Sequence, residues 1–187
     1  MSKIGRRPIN LDGVQVEIAG KTIDYKGPYA TGTYKLPEDL KAVVEDKKLT
    51  LTPVKDYAAM SKKMKRQVNR IWGLHRALLA NKIRGAAQEF VQKLEINGLG
   101  YKATKVGKNL EFSLGYSHKI DFELPEGVSV EIDKSGKKLT VKSFNKFLMG
   151  KICSDIQSLR EPEPYKGTGI KLENQEIRRK AGKTKAA

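Results

Sequence analysis

Tyr165 and Lys166 stand between two prolines and two glycines, in the run Pro162-Glu163-Pro164-Tyr165-Lys166-Gly167-Thr168-Gly169-Ile170-Lys171. Proline fixes φ and disfavours helix at the residue before it, so the helical pattern that stops by Arg160 cannot continue here. Glycine opens backbone angles and close approaches that a Cβ blocks. An aromatic ring and a cation on such a backbone suit stacking and phosphate pairing. The stretch reads as an extended arm shaped to lie along a polyanion.

Other residues could do different chemistry. Gly182-Lys183-Thr184 and Gly20-Lys21-Thr22 each look like the end of a phosphate-binding loop, which needs another glycine five residues before the last one. Those places hold Ile177 and Gln15. Gly98-Leu99-Gly100 carries two glycines of a dinucleotide fingerprint, with Ala103 in the third place. A strand and hairpin pattern follows it, where the fingerprint requires a helix. His75 falls in a helical segment and His118 beside Tyr116 and Ser117; with Cys153 they give no metal-ligand spacing. Cys153, next to Ile152, reads as a small buried side chain. No enzyme, metal site or cofactor is expected.

The charge balance narrows the partner. A formal charge of +16 on 187 residues implies a polyanion, nucleic acid before an anionic membrane surface. Three runs carry it. Lys3, Arg6 and Arg7 open the chain. Between Asp56 and Glu89 there are eight basic residues and no acid. From Tyr165 onward Lys166, Lys171, Arg178, Arg179, Lys180, Lys183 and Lys185 face only Glu173 and Glu176. Two of these runs lie at chain ends, which are expected to be mobile and free to reach a partner. No apolar run approaches the roughly 18 residues of a membrane span. The opening Met1-Ser2-Lys3-Ile4-Gly5-Arg6-Arg7-Pro8 lacks the apolar stretch of a signal peptide. A single cysteine excludes an internal disulfide framework and suits a reducing compartment.

The elements that must position these residues come as a repeat. Gly20-Lys21-Thr22-Ile23-Asp24-Tyr25 is echoed 87 residues later by Gly107-Lys108-Asn109-Leu110-Glu111-Phe112. Lys47-Lys48-Leu49-Thr50-Leu51 returns 90 residues later as Lys137-Lys138-Leu139-Thr140-Val141. The shared order and spacing predict a duplicated small domain. Val14, Val16 and Ile18 alternate with polar residues, as do Leu110, Phe112 and Leu114, and Val128, Val130 and Ile132, the period of strands. Met60, Met64, Val68, Ile71, Leu74 and Leu78 make one helical stripe; Leu148, Ile152, Ile156 and Leu159 make another, with Asn145 as its N-cap. The expected fold is α+β: two tandem, duplicated domains, each an antiparallel sheet packed against one helix, plus a basic C-terminal extension. The expected boundaries are 1–83, 84–160 and 161–187. With the apolar stripes spent on covering sheets, little is left for lipid, and the polyanion reads as a folded RNA held through phosphates and shape.

The residues also carry a resemblance. Pro162 to Ile170 resembles the C-terminal signature of the large-subunit ribosomal protein L-six family, of bacterial or organellar type. Ser2-Lys3-Ile4-Gly5-Arg6-Arg7-Pro8-Ile9, Leu78-Leu79-Ala80-Asn81, Leu94 to Ala103 and Gly115-Tyr116-Ser117-His118 are similar to that family in the same order. The resemblance implies two tandem α+β domains and a structural role in the ribosome. It implies large-subunit rRNA as partner, near the sarcin–ricin loop and the factor-binding region, with neighbouring ribosomal proteins and translation factors close by. It implies a ribosome in the cytoplasm or in an organellar matrix, no membrane and no small-molecule substrate. RNA contact falls mainly to the second domain and tail, which nominates Tyr165, Lys166, Gly167, Lys171, Arg178, Arg179, Lys180 and Lys183. Gly167 and Gly169 serve either close RNA approach or turn geometry, and for Tyr116 packing at a strand end is the favoured reading. Ala58 to Ile71 departs from the family by being longer and more basic, either a solvated helix end or an extra RNA or protein contact. The tail is expected to order only on RNA. A free nucleic-acid-binding or RNA-processing protein is the competing reading.

Overall fold

A computed structural model describes residues 2–183, and the chain divides between Glu89 and Phe90. Thr184 and Lys185, which belong to the phosphate-loop-like end and the basic tail, lie outside the described residues. The division falls beyond the expected boundary at 83/84 because helix α1 (Lys62–Ala87) runs past it. Leu79, Ile83 and Ala86 are buried in the first core. The helix end is pinned by Tyr29, whose N–H donates to the Ala86 carbonyl at 3.1 Å.

The first unit contains β1 (Ile9–Asn10), β2 (Gln15–Ala19), β3 (Thr22–Lys26), β4 (Thr31–Lys35), β5 (Leu40–Glu45), β6 (Lys48–Pro53) and α1. The second contains β7 (Phe90–Asn97), β8 (Lys102–Val106), β9 (Asn109–Ser113), β10 (Ile120–Glu123), β11 (Val128–Ile132), β12 (Lys138–Ser143), α2 (Lys146–Leu159) and β13 (Gly169–Leu172). The fold is α+β, with two helices and antiparallel sheets. The single sheet expected in each half is corrected to two. The first unit has β2-β3-β4 and β1-β6-β5; the second has β10-β9-β8 and β11-β12-β7-β13. Short strands are the cause: Pro28 and Pro37 flank β4, and Pro125 follows β10, so the ladders break at these points.

The two echoes occupy matching places. Gly20 turns β2 into β3 with φ +63°, and Gly107 turns β8 into β9 with φ +61°, a backbone state that glycine adopts without Cβ strain. Leu49 and Leu51 on β6 are fully buried, as are Leu139 and Val141 on β12. Each repeat thus supplies one hairpin turn and one core strand.

The expected stripe of α1 holds at Val68 and Ile71 and fails at Leu74 and Leu78. Val68, Trp72, Leu79 and Ile83 face the core, and the Trp72 indole N–H donates to the Leu51 carbonyl at 2.8 Å. Leu74 and Leu78 are 55% and 44% exposed. The two stripes lie side by side on the helix, and the indole hydrogen bond to β6 selects the one that faces inward. On α2, Ile152 and Ile156 are buried as the period implies, with Met149 and Cys153 beside them. Asn145 caps it, its Oδ1 accepting from the N–H groups of Phe147 and Leu148.

The terminal segments differ from the expected mobile arms. Gly169–Leu172 pairs with β7 as the last strand of the four-stranded sheet, and Ile170 is fully buried in the second core. These are protein-only interactions that need no RNA. At the other end, Ser2 to Pro8 lies along α1. The Ser2 N–H donates to Asn69 Oδ1, and Arg76 donates to the carbonyls of Arg7 and Pro8.

Truncating Ile170 should therefore cost core stability. Ile170→Ala is expected to lower unfolding free energy by about 2–5 kcal/mol, measured by urea denaturation without RNA. A loss under about 0.5 kcal/mol, as for a solvated residue, would contradict the strand.

Candidate nucleic-acid interface

The residues after α2 form a loop and a strap. The chain leaves the helix at Arg160, whose carbonyl accepts from the Ile170 N–H at 2.8 Å. That bond closes a loop across Glu161 to Gly169. Within it the Glu163 N–H donates to the Thr168 carbonyl and the Gly167 N–H to the Glu163 carbonyl, both at 2.9 Å. Thr168 Oγ1 also lies 3.2 Å from Glu163 Oε2. The two prolines lack N–H groups, and these internal bonds engage two of the donors that remain.

The glycines are structural in the first place. Gly169 has φ +136°, and a Cβ there would lie 2.6 Å from the Glu161 carbonyl oxygen. Any side chain would force the backbone of Glu161 and Pro162 away. Gly167 has φ +73°, and a Cβ there would lie 3.2 Å from the Arg179 guanidinium. Both glycines are buried.

The strap runs back over this loop. The Gln175 N–H donates to the Leu172 carbonyl at 2.9 Å, turning the chain, and the Gln157 side-chain amide donates to Gln175 Oε1 at 2.9 Å. The Lys180 N–H then reaches the Pro164 carbonyl at 2.9 Å. Between strap, loop and sheet edge opens a groove of about 590 Å³, lined among others by Asn97, Gly167, Lys171, Asn174 and Arg179.

This geometry gathers most of the nominated residues on the loop and strap and engages one, at the groove's sheet side, in an ion pair. Tyr165, Lys166, Gly167, Arg178, Arg179 and Lys180 lie on the loop and strap, and all but Gly167 are exposed. Tyr165 is 53% exposed, enough for its ring to meet a base or sugar. Lys183 is exposed at the end of the described residues. Lys171 instead projects from β13 onto Glu95 of β7, its ammonium 3.2 Å from Oε2, while Lys138 stands 3.8 Å from Oε1. Gln175 and Asn174, which shape the turn and the groove, carry no pattern that sequence reasoning could single out.

The residues weighed for other chemistry take packing roles. Tyr116 donates from its hydroxyl to the Leu159 carbonyl at the end of α2, and the Arg160 guanidinium covers its ring 5.0 Å from the centroid. It packs, as favoured, but against the end of a helix and not of a strand. His75 lies on α1, its Nδ1 2.7 Å from the Tyr34 hydroxyl. Gly20-Lys21-Thr22 is a hairpin turn and Gly98-Leu99-Gly100 a link between β7 and β8, so neither opens a helix. Cys153 is buried on the inner face of α2, and that burial pushes its thiol up to about 11.

A family model described as ribosomal protein L6 matches residues 12–89 and 97–173. The chain belongs to the ribosomal protein L6 family. The two matched segments are two family repeats, one in each unit, and the second ends one residue beyond β13. The chain is similar to the large ribosomal subunit protein uL6 of Methylacidiphilum infernorum, 42% identical over 98% of both chains. It is similar to the uL6 of Oleidesulfovibrio alaskensis, 41% identical over 98% of both. The uL6 of Roseobacter denitrificans is 38% identical over 99% of this chain and all of its own length.

The buried thiol gives a pH prediction. Cys153 favours its neutral form in the folded state, so the stability it contributes is intact below its unfolded pKa near 9.0 and is lost as pH rises towards about 11. At pH 8 a thiol reagent such as dithionitrobenzoate is expected to label the unfolded chain quickly and the folded chain slowly; equal rates would show the thiol to be open.

Proposed function

We propose that this protein is a structural constituent of the large ribosomal subunit that holds large-subunit rRNA with its second unit and C-terminal segment. The observation that carries the reading is the full-length similarity to uL6 proteins, joined to an exposed cationic loop and strap built on a buried strand. Tyr165 stacks on or hydrogen-bonds the RNA. Gly167 keeps the loop backbone low beneath Arg179, which lets phosphates approach. Lys166, Arg178, Arg179, Lys180 and Lys183 pair with phosphates, and residues 177–183 act as the basic extension. Lys171 serves mainly to tie β13 to β7 through Glu95, and contributes less to RNA. One helix per domain completes the scaffold.

The RNA contacted lies near the sarcin–ricin loop and the factor-binding region, so translation factors pass close by and neighbouring ribosomal proteins share the site. The protein works as a binding component and not as an enzyme. The relatives come from bacteria, which favours a cytoplasmic ribosome over an organellar matrix.

Cutting the chain after Arg160 would remove β13 and confuse unfolding with lost binding, so charge removal on the strap is the sharper test. Arg178→Gln, Arg179→Gln and Lys180→Gln together should reduce the slope of log affinity against log salt by about 2–3 on large-subunit rRNA. The same variant should be depleted from large subunits on a sucrose gradient. An unchanged slope, or wild-type protein absent from those subunits, would overturn the proposal.

A further inference from the structure

The first unit carries more uncompensated charge than the second. Met1–Glu89 holds 18 Lys and Arg against nine Asp and Glu, whereas Phe90–Ala187 holds 19 against 12. The nominated RNA residues all lie in the second. The first unit's excess is concentrated where two of the three basic runs meet.

Lys63, Arg66 and Arg70 follow one another at spacings of three and four residues, which places them on one stripe of α1, with Lys62 at its side. The stripe lies opposite the Val68–Trp72–Ile83 face that enters the core. All four cations are exposed, and among the described residues none has a carboxylate within ion-pair distance. The first turn of α1 contains no acid. Cations there oppose the helix dipole, so the free protein bears a cost that a bound anion relieves.

The N-terminal run is held against the same helix. Ser2 is bonded to Asn69, Gly5 packs so closely on Trp72 that a Cβ would lie 2.6 Å from its indole, and Arg76 holds the carbonyls of Arg7 and Pro8. Lys3, Arg6 and Arg7 remain exposed along it. The crowding is felt by Arg76, whose pKa is lowered by desolvation first and then by the like charges of Arg7 and Arg84. Two basic runs that are separate in sequence are thus carried by one helix and the segment docked on it.

We infer that the solvent face of α1, from Lys62 to Arg70, and the docked segment Ser2 to Pro8 form a second phosphate-binding surface for RNA, lying wholly within the first unit. Charge complementarity selects the occupant. Cores of protein interfaces are depleted of charge, whereas this patch carries one sign throughout. The cations are spaced along a helix face, as a row of backbone phosphates requires. The inference rests on the reading of the protein as an rRNA binder, and adds a contact that the C-terminal segment does not supply.

The test uses the full chain and deproteinised large-subunit rRNA. Lys62→Gln, Lys63→Gln, Arg66→Gln and Arg70→Gln together should lower the salt slope by about 3–4 while leaving the thermal midpoint in place. Hydroxyl-radical footprints should lose a set of RNA protections that survives in the Arg178, Arg179 and Lys180 variant. A photocrosslinker at position 66 of the otherwise intact chain should label RNA in reconstituted subunits, which keeps the inference testable if the fourfold variant misfolds. An unchanged slope with every protection retained would overturn it, as would crosslinks to a neighbouring protein alone. Wild-type chain without salt-dependent rRNA binding would instead sink the functional reading itself.

Discussion

The burial of Ile170 is the constraint on which the C-terminal surface depends. Fully burying such a side chain contributes about 1.5–3 kcal/mol, more than any one hydrogen bond of the loop before it, at about 0.5–1.5 kcal/mol net. The loop from Glu161 to Thr168 contains two prolines and two turn-forming bonds, too little to hold one shape in water by itself. Anchored at Arg160 on one side and at Ile170 on the other, it becomes a closed loop of fixed span. The strap then needs only the Lys180–Pro164 backbone bond and Arg179 over Gly167 to lie across it. Cations ordered before binding lose less side-chain freedom on contact, and that saving appears as affinity.

The two halves use one skeleton for different ends. The order β1-β6-β5 in the first unit matches β7-β12-β11 in the second, and the repeated Lys-Lys-Leu-Thr strand is central in both. Strand β7 is eight residues long and accepts β13 on its free edge, whereas β1 has only two residues. The basic N-terminal segment accordingly finds its support on a helix, and α1 is correspondingly long, 26 residues against 14 for α2. Duplication supplied the cores. The terminal segments, which differ, supplied the surfaces.

What could be read in the sequence was what local periodicity and turn chemistry control. Gly20 and Gly107 marked their hairpins, Asn145 its cap, and Leu110, Phe112 and Leu114 their buried row, because each signal lies within a few residues of the structure it specifies. The inward face of α1 was legible only at Val68 and Ile71, since Leu74 and Leu78 fit the helical period as well as Trp72 and Leu79 do. The choice between them is made by the Leu51 carbonyl, distant in sequence. The split of each half into two sheets depends on where proline breaks a ladder in space. The cationic chemistry of the nominated residues is plain in the sequence, but Lys171 differs from Lys166 only through Glu95, a partner that β pairing brings to it. Strand β13 itself hid behind prolines and glycines, being four residues long with a single fully committed core side chain.

The acids complete the electrostatic design. Among the described residues, five of the six ion pairs lie in the second unit, and Glu95 and Glu173 there engage Lys138, Lys171 and Lys93 on the four-stranded sheet. Surface pairs of this kind contribute about 0–1 kcal/mol each, so stability does not explain their clustering. Their effect on the field is larger. They neutralise the sheet, while Lys166, Arg178, Arg179 and Lys180 on the loop and strap make no ion pair among the described residues, although Glu161, Glu163 and Glu176 are exposed there too. Within a Debye length of about 10 Å those cations act on an approaching strand together. An RNA backbone nearing the sheet meets carboxylates already paired, and one nearing the strap meets unpaired cations. The placement of the acids, as much as that of the lysines and arginines, fixes the orientation in which a polyanion can be held.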